Sequence, residues 1–262
     1  MGTSRSRGCF EGRAELIGEG LTSVPEPLER GASAPERWLR SYGRRKGRKL
    51  SQAQSELLSR GLARCQIDVS RAISAQELTG IFSEPVSEVW LEIGFGAGEH
   101  LNWQAEHNPC AGLIGAEPYM NGIVAALSVA ETRGLGGRIA IHPDDVLSLL
   151  NWLPEASLAR GFVLFPDPWP KKRHRERRIF SPRLLDKLAR VLRPGAELRF
   201  ASDIADYAEE AMANANAHPG FEIVQVFTSQ NRNAVADWPM TRYERKAALA
   251  GRSSTFISMH RR

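Results

Sequence analysis

The sequence predicts an α/β fold built on a doubly wound, mostly parallel sheet, and three observations carry that expectation. Short, largely apolar and often β-branched runs recur from about residue 86 onward, as strands buried on both faces require. Helical patterns separate them, and repeated strand–helix alternation with right-handed crossovers gives this architecture. Directly after the first apolar run comes Gly94-Phe95-Gly96-Ala97-Gly98, where such folds bring backbone close to a ligand.

Taken in order, residues 1–36 hold Gly, Ser, Pro and Glu without sustained periodicity and are expected to form a tail outside the fold. A basic extension follows over 37–84, with seven Lys or Arg and no acid between Arg37 and Gln54, centred on GRRKGRK. Within it, Ser51-x-x-Gln54 is the pattern of a capping box and opens a helix through about Leu62. The main domain, 85–262, carries seven candidate strands at 89–94, 113–118, 138–143, 161–166, 197–202, 221–227 and 254–260. Among the helices, SPRLLDKLARVLRPG is the clearest. Ser181 is its N-cap, Pro182 its first residue and Pro194-Gly195 its stop. Leu184, Leu185, Leu188, Val191 and Leu192 share one face.

Composition narrows the function classes. Of the 262 residues, 42% are hydrophobic and 25% charged, which is ordinary for a globular protein. No apolar run approaches the roughly 18–20 residues of a membrane span, and no secretory h-region follows the N-terminal basic residues. Three scattered cysteines, Cys9, Cys65 and Cys110, suit a reducing cytoplasm rather than a disulfide framework or a structural zinc. The formal charge of +5 is concentrated in three clusters: 37–54, Lys171 to Arg178, and a C-terminal group around Arg242, Arg245, Lys246, Arg252, Arg261 and Arg262. Such clustering points to a polyanionic partner.

Candidate site residues lie at the ends of the predicted strands, the edge where such sheets bind ligands. Gly94, Gly96 and Gly98 are spaced G-x-G-x-G rather than the dinucleotide G-x-G-x-x-G. Glu92, two residues before the loop, would repel a pyrophosphate but suits the positive amino-acid moiety of S-adenosylmethionine. Glu117 ends the second strand, where an acid commonly pairs with ribose hydroxyls. After the third strand, Asp144 or Asp145 stands where an acid accepts from an adenine amino group, although Asp144 is also placed to cap the helix that follows. After the fourth, Pro166 and Pro168 hold Asp167 on a mount of restricted φ, and Trp169 offers a face on which a base can stack.

These motifs make the chain resemble the bacterial tRNA (guanine-N7-)-methyltransferases. The resemblance rests on SYGRRKGRKLSQAQ (41–54), LEIGFGAGEHL (91–101), GAEPY (115–119), FPDPWPKKRHRERR (165–178), ASDIADYA (201–208) and TRYERKA (241–247). It implies a Rossmann-like class I methyltransferase fold with a mostly parallel seven-stranded sheet and helices on both faces. It also implies S-adenosylmethionine contacts from Glu92, Glu117 and Asp144 alongside the glycine loop, with Asp167 both catalytic and touching cofactor. Lys171, Asp203, Thr241, Arg242, Tyr243 and Glu244 are implied as substrate contacts. No metal is expected. The implied partner is tRNA, with a guanosine of the variable loop as target, for a cytoplasmic monomer or homodimer. Two rivals stand beside it: an adenine-N6 or protein-amide methyltransferase, and an RNA-binding module without turnover. Asp-Pro-Trp-Pro departs from the Asp-Pro-Pro-Tyr/Phe/Trp of the adenine enzymes.

Overall fold

The computed structural model describes residues 45–234 and 237–262. The tail expected over 1–36 and the first residues of the basic extension lie outside them. Among the described residues, seven strands form one sheet: β1 (Glu88–Ile93), β2 (Ala111–Ala116), β3 (Ile139–His142), β4 (Leu158–Leu164), β5 (Leu192–Ser202), β6 (Phe221–Thr228) and β7 (Thr255–Arg261). Their order is β3-β2-β1-β4-β5-β7-β6. Strands β1 to β5 pair in parallel, and β7 enters antiparallel between β5 and β6. This is the Rossmann-like, mostly parallel seven-stranded sheet that the sequence predicts.

Seven α-helices of the described residues accompany the sheet: α1 (Gln52–Cys65), α2 (Glu99–His107), α3 (Met120–Arg133), α4 (Val146–Trp152), α5 (Pro182–Val191), α6 (Ala205–Ala217) and α7 (Arg242–Leu249). Alternating strand residues sort into two cores. Leu91, Ile93, Ile114, Val163, Leu198 and Phe200 pack with buried residues of α4, α5 and α6. Trp90, Leu113, Phe162, Leu164 and Ala201 pack with α2 and α3, and the half-buried Leu57, Leu58 and Leu62 of α1 lie against that second layer. The two helical layers follow from the period of two along each strand.

Local signals account for the element ends. In α1 both bonds of the capping box form, with Gln54 N–H donating to Ser51 Oγ at 3.2 Å and Ser51 N–H to Gln54 Oε1 at 3.0 Å. Ser181 caps α5 and Pro182 opens it. That helix ends at Val191, ahead of the expected Pro194-Gly195 stop, because Leu192 already pairs with Leu158 of β4. The register then jumps to Arg160 opposite Glu197, so Pro194-Gly195 form a strand irregularity, with Gly195 at φ +78°. Strands β2 and β4 begin two or three residues before the expected positions. In β4 the charged Arg160 is carried inside the ladder, opposite Trp90, and in β2 the small Ala111 and Gly112 extend it, opposite Glu88 and Val89.

The topology reverses beside β1, which has β2 on one side and β4 on the other, and the crevice at that switch point is the expected ligand site. Below it, Leu188 of α5 is 1% exposed in the α4–α6 core. Leu188→Ala is expected to cost about 2–5 kcal/mol of unfolding free energy, measured as a lower urea midpoint with an unchanged slope.

Candidate active site

The glycine loop after β1 needs its glycines. Gly94, Gly96 and Gly98 have φ of +74°, +56° and +73°, a region that side chains with a Cβ rarely adopt. Helix α3 presses on the same loop, since a Cβ on Gly122 would fall 2.3 Å from the Gly96 carbonyl oxygen. Glu92, 3% exposed within β1, accepts from Nδ1 of the equally buried His100 at 2.8 Å.

Glu117 ties the loop to the next strand. Its Oε2 accepts from Gly96 N–H at 2.7 Å and its Oε1 from Tyr119 N–H at 2.9 Å. Burial pushes the Glu117 carboxyl upward, and the nearby carboxylates of Asp167 and Glu92 push the same way against the two N–H donors. Beyond β3, Asp145 occupies the N-cap position of α4 but makes no side-chain cap bond. Asp144 therefore is not the helix cap. Its Oδ1 accepts from Asp145 N–H at 2.8 Å and pairs with Arg45 at 2.6 Å. Burial alone would raise the Asp144 carboxyl, but the Asp145 N–H and the Arg45 guanidinium outweigh it and hold the carboxyl low. The basic extension thus reaches the acid beyond β3. It docks on the start of α3, where Arg45 O accepts from Met120 N–H and Asn121 Oδ1 accepts from Gly47 N–H at 2.9 Å.

The proline mount is strained at both ends. Phe165 and Trp169 have φ of +49° and +41°, uncommon for bulky residues and sustained only where surroundings enforce them. Phe165 N–H donates to Ala201 O at 2.8 Å, and its ring stacks with Tyr243 and meets Phe256 edge-on. At the other end Arg178 is the clamp. Only 2% exposed, it donates from Nε to Pro168 O at 2.9 Å, from Nη1 to Glu210 at 2.6 Å and from Nη2 to Asp206 at 2.9 Å, over the ring of Tyr207. The basic run suggests six phosphate-gripping cations, but Arg178 is a structural residue and Arg175 pairs with Asp206. Lys171, Lys172 and Arg173 remain exposed. Arg177 lies over the Trp169 indole, 5.0 Å from its centroid, so a cation from the same loop already takes part of the expected stacking platform. Asp167 itself is exposed, yet partial withdrawal from water pushes its carboxyl upward.

The segment before and within α7 closes the cleft from above. Arg242 N–H donates to Glu99 Oε2 at the start of α2, and the ends of Arg242 and Tyr243 stand over Gly96. The cleft beneath is lined by Glu92, Gly94, His100, Phe165, Arg242 and Tyr243, among others. Thr241 and Glu244 are buried, with Thr241 Oγ1 accepting from Glu244 N–H as the cap of α7. The structure therefore gathers Glu92, the three glycines, Glu117, Asp167 and the Thr241–Glu244 turn. Asp203, after β5, is instead ion-paired with Arg252 at 2.8 Å, and Lys171 lies on the exposed run. Sequence patterns alone do not single out Glu99, His100, Arg178 or Asp237. A faint signal exists for Arg178, since it ends a charged run just where Ile179-Phe180 begin a core.

Comparison with known proteins follows the same lines. Residues 87–257 match the family model described as "Putative methyltransferase". The chain is 46% identical to the tRNA (guanine-N(7)-)-methyltransferase of Paramagnetospirillum magneticum, covering 89% of this chain and 97% of the relative. It is 43% identical to the enzymes of the same name from Rhodospirillum rubrum, with 85% and 88% covered, and Azorhizobium caulinodans, with 92% and 100% covered. Among solved structures, an antibiotic-related methyltransferase superposes with a TM-score of 0.51 at 16% identity, over 74% of this chain and 96% of that one. The 16S rRNA methyltransferase KamB gives 0.50 at 17% identity over the same shares. At these identities the structures speak for the fold alone.

Two outcomes are expected from the clamp and the mount. Arg178→Met removes the donor to the Pro168 carbonyl and to Glu210, leaves Asp206 to Arg175 alone, and should lower unfolding free energy by about 1–3 kcal/mol, read by denaturant titration. For Asp167, a carboxyl raised on folding stabilises fully below the ordinary aspartate range and loses that contribution as pH climbs through its raised value. Asp167→Asn should therefore melt slightly higher than the parent at neutral pH, with the difference vanishing below the ordinary aspartate range.

Proposed function

The chain belongs to the tRNA (guanine-N(7)-)-methyltransferase family, and we propose that this site moves a methyl group from S-adenosylmethionine to N7 of a guanosine in tRNA. The observation that carries the reading is the convergence of Glu92, Glu117 and Asp167 on the glycine loop, beside an exposed basic run. Among the described residues, no Lys or Arg is ion-paired with any of the three acids. Such a crevice suits a cationic ligand, and three left-handed glycines leave room for it. Glu92 would hold the amino group of the cofactor, Glu117 its ribose hydroxyls and Asp144 its adenine amino group. When bound, S-adenosylmethionine supplies a methyl group already activated by a sulfonium.

Guanine N7 has a lone pair and no proton, so the chain need not provide a general base. Its work is alignment of the base in line with the donor. Asp167 accepts from guanine N1–H and the exocyclic amino group, which selects guanine, and its charge offsets the positive charge the purine gains on methylation. The pairing of Asp203 with Arg252 favours Asp167 for this role. Lys171, Lys172 and Arg173 hold phosphates, with Arg242 and Tyr243 at the rim of the cleft. The target guanosine lies in the variable loop, and the enzyme works in the cytoplasm, where unfinished tRNA is found. No helix of the described residues is long and apolar enough to cross a membrane.

Incubation with unmodified tRNA and labelled cofactor, followed by nucleoside analysis, tests the reading. 7-Methylguanosine is expected. 6-Methyladenosine would assign the protein to adenine, and no transfer would leave an RNA-binding module. Asp167→Asn should lower turnover by about 10²–10³-fold, the scale of losing one preorganised electrostatic interaction, while tRNA affinity stays near that of the parent. Replacing Lys171, Lys172 and Arg173 by Ala should do the reverse. Affinity should fall, and the slope of log affinity against log salt should flatten by about 0.7–0.9 for each phosphate no longer neutralised.

A further inference from the structure

One buried chain of hydrogen bonds runs from the cofactor side of the cleft to the segment that covers it. Glu92 Oε2 lies 2.8 Å from His100 Nδ1, and His100 Nε2 lies 3.0 Å from Gln104 Nε2. The same Gln104 amide nitrogen donates to Asp237 O at 3.0 Å. Its other end is fixed, because Gln104 Oε1 accepts from Asn108 Nδ2 at 2.9 Å. Only one arrangement of protons satisfies all four hydrogen bonds. Gln104 donates one N–H to the Asp237 carbonyl and the other to His100 Nε2, so His100 carries its proton on Nδ1 and donates it to Glu92.

Packing leaves that ring little freedom. His100 and Gln104 are 2% and 0% exposed, and the imidazole meets Phe162 at 4.7 Å and Trp238 at 4.9 Å between centroids. The far end of the chain is equally fixed. The Asp237 carboxylate is held by Nη1 and Nη2 of Arg199 at 2.8 and 2.9 Å and by Arg160 at 3.1 Å. Asp237 stands four residues before Thr241, the cap of the helix whose first turn covers the glycine loop.

We propose that His100 is a positioning residue with two separable tasks. Through Nδ1 it fixes the direction of the Glu92 carboxylate, and through Nε2 and Gln104 it ties the cofactor side of the cleft to the 237–244 segment. The proposal rests on the reading that Glu92 contacts the cofactor. A buried carboxylate with one rigid donor presents its second oxygen in one direction only, which lowers the ordering cost of capturing a cationic group.

The two ring nitrogens allow the tasks to be cut apart. An Asn at 100 can place an amide donor near the position of Nδ1, and a Gln can place its amide near that of Nε2. The measurements are S-adenosylhomocysteine affinity by calorimetry, hydrogen-exchange protection over 237–244, and thermal melting to show that each variant folds. His100→Asn should keep affinity within about threefold of the parent and lose protection over 237–244. His100→Gln should keep that protection and lose about tenfold in affinity, the scale of one charge-assisted hydrogen bond. His100→Leu should lose both. Folded Asn and Gln variants that match the parent in both readouts, or that fall equally in both, would reduce His100 to core packing and overturn the proposal. Glu92→Ala separates this failure from that of its premise. If Glu92→Ala binds the ligand as the parent does, the cofactor reading of Glu92 falls and takes the proposal with it.

Discussion

The site hangs on the carboxylate of Glu117. Its two oxygens accept from Gly96 in the loop after β1 and from Tyr119 in the turn before α3, so one side chain ties two connections together. Three left-handed glycines in five residues would leave that loop with many alternatives. The two accepted N–H bonds select one of them, and the close seat of α3 against the Gly96 carbonyl fixes it from the other side. Because these bonds occupy only part of the lone-pair capacity of the carboxylate, the same group can shape the loop and still meet a ligand.

Charge is segregated by depth. Glu92 and Asp167 both act against the charge of the Glu117 carboxylate, and Arg242 is a cation at the rim of the same crevice. Much of the positive charge of the chain is meanwhile spent internally. Arg160 and Arg199 bind Glu197 and Asp237, Arg138 binds Glu84, and Arg178 binds two acids of α6. The cations left for a polyanion are fewer than a count along the sequence suggests. Lys171, Lys172 and Arg173 among them follow Asp167 on one loop.

What can be read from the sequence follows from range. The capping box of α1, the Ser181-Pro182 start of α5 and the glycine loop all act within a few residues, and each is visible as a local pattern. The acids at strand ends are visible because sheet topology alone places them on one edge. Arg178, His100 and Asp237 are not, since their meaning depends on acids 28 and 32 residues away for Arg178 and on a hydrogen bond across 133 residues between Gln104 and Asp237. In the same way Asp144 is legible as an acid beyond β3, but not as a partner of Arg45, because nothing local joins the basic extension to that loop. Strand starts shift where interstrand pairing continues past the apolar run, as at Arg160.

The place of β7 has a consequence for how the molecule comes into being. Among the described residues, strand β6 finds its sheet partner only in β7, a strand made some thirty residues later, and it carries the exposed Val224 and Val226. During vectorial synthesis the parallel half from β1 to β5 can assemble with its glycine loop and acids while β6 waits with both edges open. The turn bearing Arg242 and Tyr243 lies between those two strands in the chain. A nascent molecule therefore has the floor of its cleft before it has the roof, and insertion of β7 is the step that completes both the sheet and the cover that Arg242 and Tyr243 place over the glycine loop.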